Sequence, residues 1–444
     1  MRRRGGSGLF VIAIVLGTAL PRAGAERLTL ADAIALARRG QPQLRAADAQ
    51  IAVSRARIGR AFAPYLPNIN LTLQERWDGS NAAPVQQIDP ATGLVIVAFP
   101  FANALRSTLS LGLDERLFDF GRTRGAVAAA RINEQQARVD RSVRGLDVEL
   151  AVFEAYTDAL RGRALEQVQQ LGVEQVERQL KRARALYKAT LRPEIDVLSA
   201  ETQLAQARIR LLQARNITAN AFVALRNAIG SNAPSMIDPV EIRIGDLSLE
   251  TRAPQAIVDE AVGAREELHS IELQSLSAGE SLRAARADYF PVFSVGATAS
   301  MVVTDQRFGP TASLFATFTI AEPVFNGWAT RYAIAEQRAN IEAVRFNFET
   351  QRLRIVQEVE AARLAVELSR ASLAVAEVAR RQSERQLALS VARYESKVGS
   401  FVELNDARNG VVNAMATEVE ARYGLSKSRG QLLRRTGNSV AMTP

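Results

Sequence analysis

FDFGRTRGAVAAARIN at residues 118–133 and FNGWATRYAIAEQRAN at residues 325–340 are two versions of one text, set 207 residues apart. At that offset Phe118 falls on Phe325, Thr123-Arg124 on Thr330-Arg331 and Asn133 on Asn340. The register then holds without an insertion as far as Gly230 and Gly437. Arg178-Gln179-Leu180 meets Arg385-Gln386-Leu387, Tyr187 meets Tyr394, and Ala200, Arg215 and Leu225 meet Ala407, Arg422 and Leu432. An ungapped internal match of this length predicts two helical hairpins whose lengths must be equal.

Within the first copy, residues 122–188 contain no Pro and little Gly, which predicts a single helix on the order of 100 Å long. Val148, Val152, Ala155, Ala159, Val168, Leu171 and Leu180 form a narrow seam rather than a broad core-facing stripe. Pro193 marks a reversal, and a second helix over 195–229 is about half as long as the first. The uncovered half of the long helix needs another partner. Residues 29–62 have the missing length, with Thr29 as N-cap, Ile34, Leu44, Ile51 and Ile58 on one stripe, and Pro42 forcing a kink or split. The two shorter helices are therefore expected to stack end to end beside the long one.

Past Pro64-Tyr65-Leu66-Pro67 the period changes from helical to two. Ile69, Leu71 and Leu73 alternate with polar residues, and after a polar loop containing Pro and Gly so do Leu105, Leu109, Leu111 and Leu113. Each is a strand with one oily and one polar face. Residues 231–253 read as a connector in which Val240, Ile242 and Ile244 mark a small strand. The programme then restarts with a helix over 254–288 at an offset of 224, Ala37 on Ala261, Leu44 on Leu268 and Pro67 on Pro291. Two further strands follow, around 293–301 and 313–320. The two offsets differ only in the first strand-loop-strand unit, so a loop varies while helices keep their lengths.

The division is thus residues 1–25, 26–230, 231–253, 254–437 and a tail over 438–444. Residues 1–25 read as a secretory signal, with Arg2-Arg3-Arg4, an apolar run over 9–20 and Ala23-Gly24-Ala25 as a cleavage site. Its four arginines account for part of the formal charge of +9, leaving +5. A surface of that charge on an exported chain, without an aromatic RNA-reading motif, argues against nucleic acid as a partner. Cysteine is absent, which excludes disulfides, thiolate metal sites and a lipidated N-terminal Cys. Only 6% of the residues are aromatic, the composition of long helices.

After the signal there is no run of about 20 apolar residues, so a membrane can be entered only by strands. Four strands enclose nothing, and their open edges cannot face lipid. Other copies must close them: two would give eight strands and three would give twelve, and the pattern alone does not choose. A ring of helices also explains the matched hairpins, because the staves of one barrel share a length.

These repeats, with Pro-Tyr-Leu-Pro at the helix-to-strand turn, Leu117-Phe118-Asp119 and Pro323-Val324-Phe325-Asn326-Gly327 at the strand-to-helix turns, and Glu194-Ile195-Asp196-Val197-Leu198 at the hairpin, resemble the TolC-type outer-membrane efflux proteins. The resemblance covers nearly all of the chain beyond the signal. It implies a mainly α fold with membrane β: tandem long helical hairpins forming an α-barrel continuous with a trimeric 12-stranded transmembrane β-barrel. The implied protein is a homotrimeric exit duct in the outer membrane of a Gram-negative bacterium, extending into the periplasm. It serves a tripartite efflux or type I secretion system with a periplasmic adaptor and an inner-membrane transporter, without cofactor or catalysis. The rival reading is a wholly periplasmic coiled-coil adaptor or scaffold, which has no use for four alternating strands.

The resemblance also places candidate residues at the hairpin tips. Glu403 and Asp406, three apart on one helix face, match an acidic pair at the tunnel constriction, and threefold symmetry would make each a ring of carboxylates. Tyr394 and Asp196 match a pair whose hydrogen bond holds the tip closed. Ile195 stands where the family can have a small hydroxyl residue and Gly399 where it can have a basic one, so the latch is expected to be fastened differently. The adaptor-facing tips are Ala189, Thr190 and Leu191, and Ser396, Lys397, Val398 and Gly399. A Val-Gly pair is usual there, and Ala189-Thr190 and Ser396-Lys397 replace it. The single His269, the pairs Glu266-Glu267 and Asp114-Glu115, and the helix-start residues Asp119 and Asn326 read as solvated or capping groups, not as an enzyme site.

Overall fold

The computed structural model describes residues 26–81, 85–98, 101–230, 237–242, 245–304, 310–396 and 398–442. The signal sequence and Lys397 therefore lie outside the described residues. The chain begins with β1 (Glu26–Leu28) and two short helices, α1 (Leu30–Gly40) and α2 (Pro42–Phe62). Thr29 caps α1, its hydroxyl accepting the Asp32 N–H at 3.2 Å. The break falls on extended Gln41 because Pro42 lacks the N–H that would continue α1 but is at ease in the first turn of α2.

The first strand unit comprises β2 (Asn68–Asn81), a small hairpin of β3 (Val85–Ile88) and β4 (Val95–Ala98), and β5 (Phe101–Phe118). The expected irregular loop thus carries a hairpin of its own. Its turn forms because Asp89 accepts the Ala91 N–H and the Thr92 hydroxyl, with Gly93 left-handed at φ +66°. The long helix α3 (Arg122–Lys188) and α4 (Glu194–Ile229) make the first hairpin. Asp119 organises the entry to α3. It accepts the Thr123 N–H at 2.9 Å, the Thr123 hydroxyl, and the Tyr65 hydroxyl at 3.0 Å. Burial alone would raise its pKa, but these bonds and Arg116 outweigh it and hold the carboxyl below its usual range.

The connector strand β6 (Ile237–Pro239) pairs in parallel with β1. It precedes the expected 240–244 stretch. The Val240 N–H still bonds the Leu28 carbonyl at 3.2 Å, while the Val240 carbonyl accepts the Tyr156 hydroxyl at 2.6 Å, and Ile244 lies outside the described residues.

The second repeat runs through α5 (Pro254–Ala264), α6 (Glu266–Arg286), β7 (Val292–Thr304), β8 (Thr311–Ala321), α7 (Ala329–Glu395) and α8 (Phe401–Arg435). Both long helices contain 67 residues. The helix expected over 254–288 is corrected to two: it breaks at Arg265, the counterpart of Gln41, where the backbone is extended. No proline forces this. The buried Arg265 guanidinium bonds Glu267 at 2.9 Å, Glu358 at 3.3 Å and the Arg435 carbonyl at 3.1 Å, contacts that pin the break in place.

The short helices do stack end to end. Gln41 Nε2 donates to the Ala228 carbonyl at 3.0 Å, and Gly230, at φ +89°, brings its backbone so near that a Cβ would lie 3.0 Å from the Gly40 carbonyl oxygen. The second repeat repeats the joint. Gly437, at φ +82°, would place a Cβ 3.1 Å from the Ala264 carbonyl oxygen. A side chain at either position would force the stacked helices apart.

The four main strands form one antiparallel sheet in the order β2-β5-β7-β8. Register sorts the two faces. Leu71, Leu111, Ala299 and Leu314 lie in one row, as do Ile69, Leu113, Ala297 and Ala316, while Thr72, Ser110, Ser300 and Ser313 make a polar row on the other face. At the helix end of the sheet Phe118, Phe120, Phe290, Phe293 and Phe318 form a chain of ring contacts, with Phe120 stacked on Phe290 at 5.0 Å. Away from the sheet, the helices nearest the hairpin ends lie in the order α4, α3, α8, α7. Both edges of the sheet and both edges of this helical layer are open. Among the described residues no helix is long and apolar enough to cross a membrane.

Candidate functional site

The hairpin ends bring the predicted tip residues together. In the first hairpin α3 stops at Lys188, and Thr190 takes up φ +62°, a left-handed conformation that a β-branched side chain adopts only at a cost. The Leu191 N–H then reaches back to the Leu186 carbonyl at 2.9 Å, leaving the Leu191 side chain exposed. In the second hairpin the Val398 and Gly399 N–H groups both bond the Arg393 carbonyl, at 3.0 and 2.8 Å. Gly399 is confined by this fold-back: a Cβ there would sit 3.0 Å from the Tyr394 nitrogen. Ser400 caps α8 by accepting the Glu403 N–H at 3.0 Å.

Glu403 occupies the first turn of α8, where a carboxylate suits the helix dipole, and is paired with Arg393 Nε at 2.9 Å. Asp406 lies one turn on and is exposed. The two predicted acids thus share the open side of α8, but only Asp406 is without an ion pair among the described residues. Sequence reasoning missed the Arg393 partner because it lies on the opposite arm of the hairpin.

Tyr394 is buried at the end of α7, with its ring edge-on to Phe401 at 6.3 Å. Among the described residues no hydrogen bond joins it to Asp196, although both lie at the tip. The Arg192 guanidinium, on the loop of the other hairpin, instead stands over the Tyr394 ring at 4.7 Å. Burial chiefly, aided by the Asp196 charge and opposed by Arg192, raises the phenol pKa, which keeps the hydroxyl neutral. A second link crosses between hairpins beside it, from Arg182 to Glu395 at 3.0 Å. The available signal was the number of cations around each tip, which no single motif carries.

A four-stranded sheet carried on tandem long helical hairpins is the fold of the outer-membrane channel class of proteins. The chain belongs to the outer membrane efflux protein family, whose model matches residues 33–231 and 257–438. It is an outer-membrane channel that extends into the periplasm. Among curated relatives it is 28% identical over 421 residues to protein CyaE of Bordetella pertussis, covering 89% of this chain and 81% of that one. It is 25% identical over 345 residues to outer membrane efflux protein BepC of Brucella suis, covering 75% and 73%. In fold it resembles the solved structures of CusC, with TM-score 0.76 and 16% identity over 92% of each chain, and of a membrane protein from Pseudomonas aeruginosa, with TM-score 0.75 and 19% identity over 92% and 93%.

Proposed function

We propose that three copies of the chain close into a single duct, a 12-stranded barrel above and a helical tunnel below, through which cargo leaves in one passive step. The observation that carries this is the pair of unsatisfied edges. Along α4, Ile195, Leu198, Ile209, Leu212 and Val223 are exposed at heptad spacing; along α7, Leu364, Leu368, Val375, Val378 and Leu389 are exposed likewise. An α4 edge of one copy meeting the α7 edge of the next forms a heterologous contact that closes a ring, and β2 pairs with the next β8 in the same turn.

The height supports a membrane seat. The 11 residues of β8, at about 3.3 Å each and tilted about 45°, span roughly 25 Å, the apolar band of such barrels. A soluble scaffold would instead leave Ile69, Leu71, Leu73, Leu314 and Phe318 in water.

At the periplasmic end, a resting latch of Arg192 on the Tyr394 ring and Arg182 on Glu395 supports the reading of a gate, with Asp196 the acceptor that the Tyr394 hydroxyl takes up in another state of the tip. Asp406 is then the ring-forming carboxylate, and Glu403 joins it when Arg393 lets go. The tips Ala189, Thr190, Leu191, Ser396, Val398 and Gly399 face the adaptor that joins the duct to an inner-membrane transporter.

The test is planar-bilayer conductance of the purified protein together with its mass in detergent. Threefold mass and a discrete conductance that rises in Arg192→Ala support the reading; a monomer without conductance overturns it.

A further inference from the structure

Next to the sheet the helices of one copy lie in the order α2, α3, α6, α7, so α2 and α7 are the free edges of that layer. The internal repeat supplies the pattern for closing them. At the two offsets α7 corresponds to α3 and α2 to α6, so the packing of α3 on α6 inside the chain is the template for α7 on the α2 of a next copy.

On α3, Gly125 abuts α6, and Ile132, Val139 and Leu146 follow it at intervals of seven, all three half-buried. Their counterparts on α7 are Tyr332, Ala339, Phe346 and Leu353, and here Tyr332, Phe346 and Leu353 are 69, 55 and 71% exposed. The opposite edge is the reverse. α6 meets α3 through Ser270, Ser277 and Ala284, whose counterparts on α2 are Ala46, Val53 and Arg60. Ala49 and Ala56 fill the turns between, and all five of these α2 residues are exposed. A row of bulky side chains thus stands on one free edge and a row of small ones, ended by Arg60, on the other. Large against small is how facing helices interdigitate.

The membrane end of the joint inside the chain has two fastenings that the free edges lack. Arg122 Nε pairs with Asp288 at 2.5 Å, whereas the counterparts Ala329 and Pro64 carry no charge. Gly125 lets α3 approach α6 so closely that a Cβ would lie 3.0 Å from the Glu280 carbonyl oxygen and 3.1 Å from the Ala284 Cβ. Tyr332 stands in the place of Gly125, and Arg60 in the place of Ala284. The same approach is impossible, so the helices must stand apart there by the width of a ring. Among the described residues Arg60 forms no ion pair and Tyr332 no hydrogen bond.

We propose that α7 of one copy seats on α2 of the next in the register of α3 on α6, with the Tyr332 ring of one copy under the Arg60 guanidinium of the other. A single copy holds only half of this contact at each edge. The inference rests on the reading of a closed ring of copies, and adds the register of its upper seam and the contact that ends it. A ring and a cation replace the ion pair and the close glycine, so the joints between copies are wider than the joints within them.

Because the chain has no cysteine, introduced pairs report without background. Val53 and Glu336 are the counterparts of Ser277 and Ala129, whose hydroxyl and carbonyl lie 3.4 Å apart. Mild oxidation of the full-length channel in its native outer membrane should link Val53→Cys with Glu336→Cys into covalent dimers and trimers. Val53→Cys with Ala343→Cys, two turns along, should stay monomeric on the same denaturing gel. Tyr332→Leu and Arg60→Met should each lower the temperature at which detergent splits the assembly by about 5 °C, with no further loss in the double variant and none in Tyr332→Phe.

Links at the shifted pair, or a threefold protein with no link between Val53→Cys and Glu336→Cys, overturn the seam. A splitting temperature that Tyr332→Leu leaves unchanged overturns the Tyr332–Arg60 contact. Mass in detergent is measured alongside: a single copy defeats the ring itself, whereas threefold mass without the expected link defeats only this register.

Discussion

Thr190 and Glu267 show what single residues contribute to the two ends of the periplasmic part. Thr190 holds φ +62° at the place where the family usually has glycine, so the hairpin forms there against a preference of its own side chain. Thr190→Gly is expected to stabilise the tip by about 1 kcal/mol, the strain removed less the added freedom of the unfolded chain, seen as slower amide exchange at Leu191. Glu267 lies in the ionic cluster at the stacking joint, bonded by Arg434 at 2.8 Å and Arg265 at 2.9 Å, and Arg434 also bonds Asp147 at 2.7 Å. Burial would raise the Glu267 pKa, but the Arg434 bond and charge, with Arg265, outweigh it and lower it. Its folded value lies below the unfolded one, so its contribution is complete above about pH 4.3 and disappears as pH falls through the folded value. The melting temperature should therefore be level between about pH 7 and 5 and drop below about 4, and Glu267→Gln should start lower and drop less. That Glu403 and Asp406 share one helix face was legible from their spacing, their place at the tip came from the family resemblance, and the partners of Glu403 and Tyr394 were not legible. Arg393 reaches Glu403 across one hairpin, and Arg192 reaches Tyr394 from another, so packing rather than local pattern selects them.

Helix lengths were the most legible feature, because Pro193 and the ungapped repeat bounded α3 and α4 and, through the offset, α7 and α8. The break at Arg265 was not, since no Pro marks it and what pins it is a buried ionic cluster assembled from three helices. Close approach of helices was likewise invisible in periodicity. Gly430 on α8 abuts Phe153 on α3 so tightly that a Cβ would lie 2.2 Å from the ring, and Phe153 is fully buried. Gly430→Ala must therefore push the ring or separate α3 from α8. A loss of about 1–3 kcal/mol is expected, read as a lowered unfolding midpoint, while the same substitution at Gly424, where a Cβ meets nothing within 4 Å, should stabilise slightly through helix propensity.

At the scale of the molecule, the matched staves make sense only if the layer closes on itself. A helix edge with exposed apolar residues in heptad register is paired in a coiled coil or it is left wet, and α4 and α7 carry such edges on opposite sides of one copy. Because the two edges differ, each must meet the other kind of edge on a neighbouring copy, which a head-to-tail ring about the barrel axis provides. Closing such a ring also brings β2 against β8, so the lipid-facing rows continue around the barrel without a free strand edge. The seam on α4 can be spoiled without touching the core. Ile209 and Leu212 are both exposed in the single chain, whereas their neighbours Leu204, Ala207 and Leu211 are buried against α3. The double substitution Ile209→Glu and Leu212→Glu removes on the order of 3 kcal/mol of apolar burial from each seam, before any cost of burying the new charges. Light scattering in detergent should then report single copies with helical content intact, and bilayers should show no conductance. A double variant that stays threefold would mean that the copies meet along some other face.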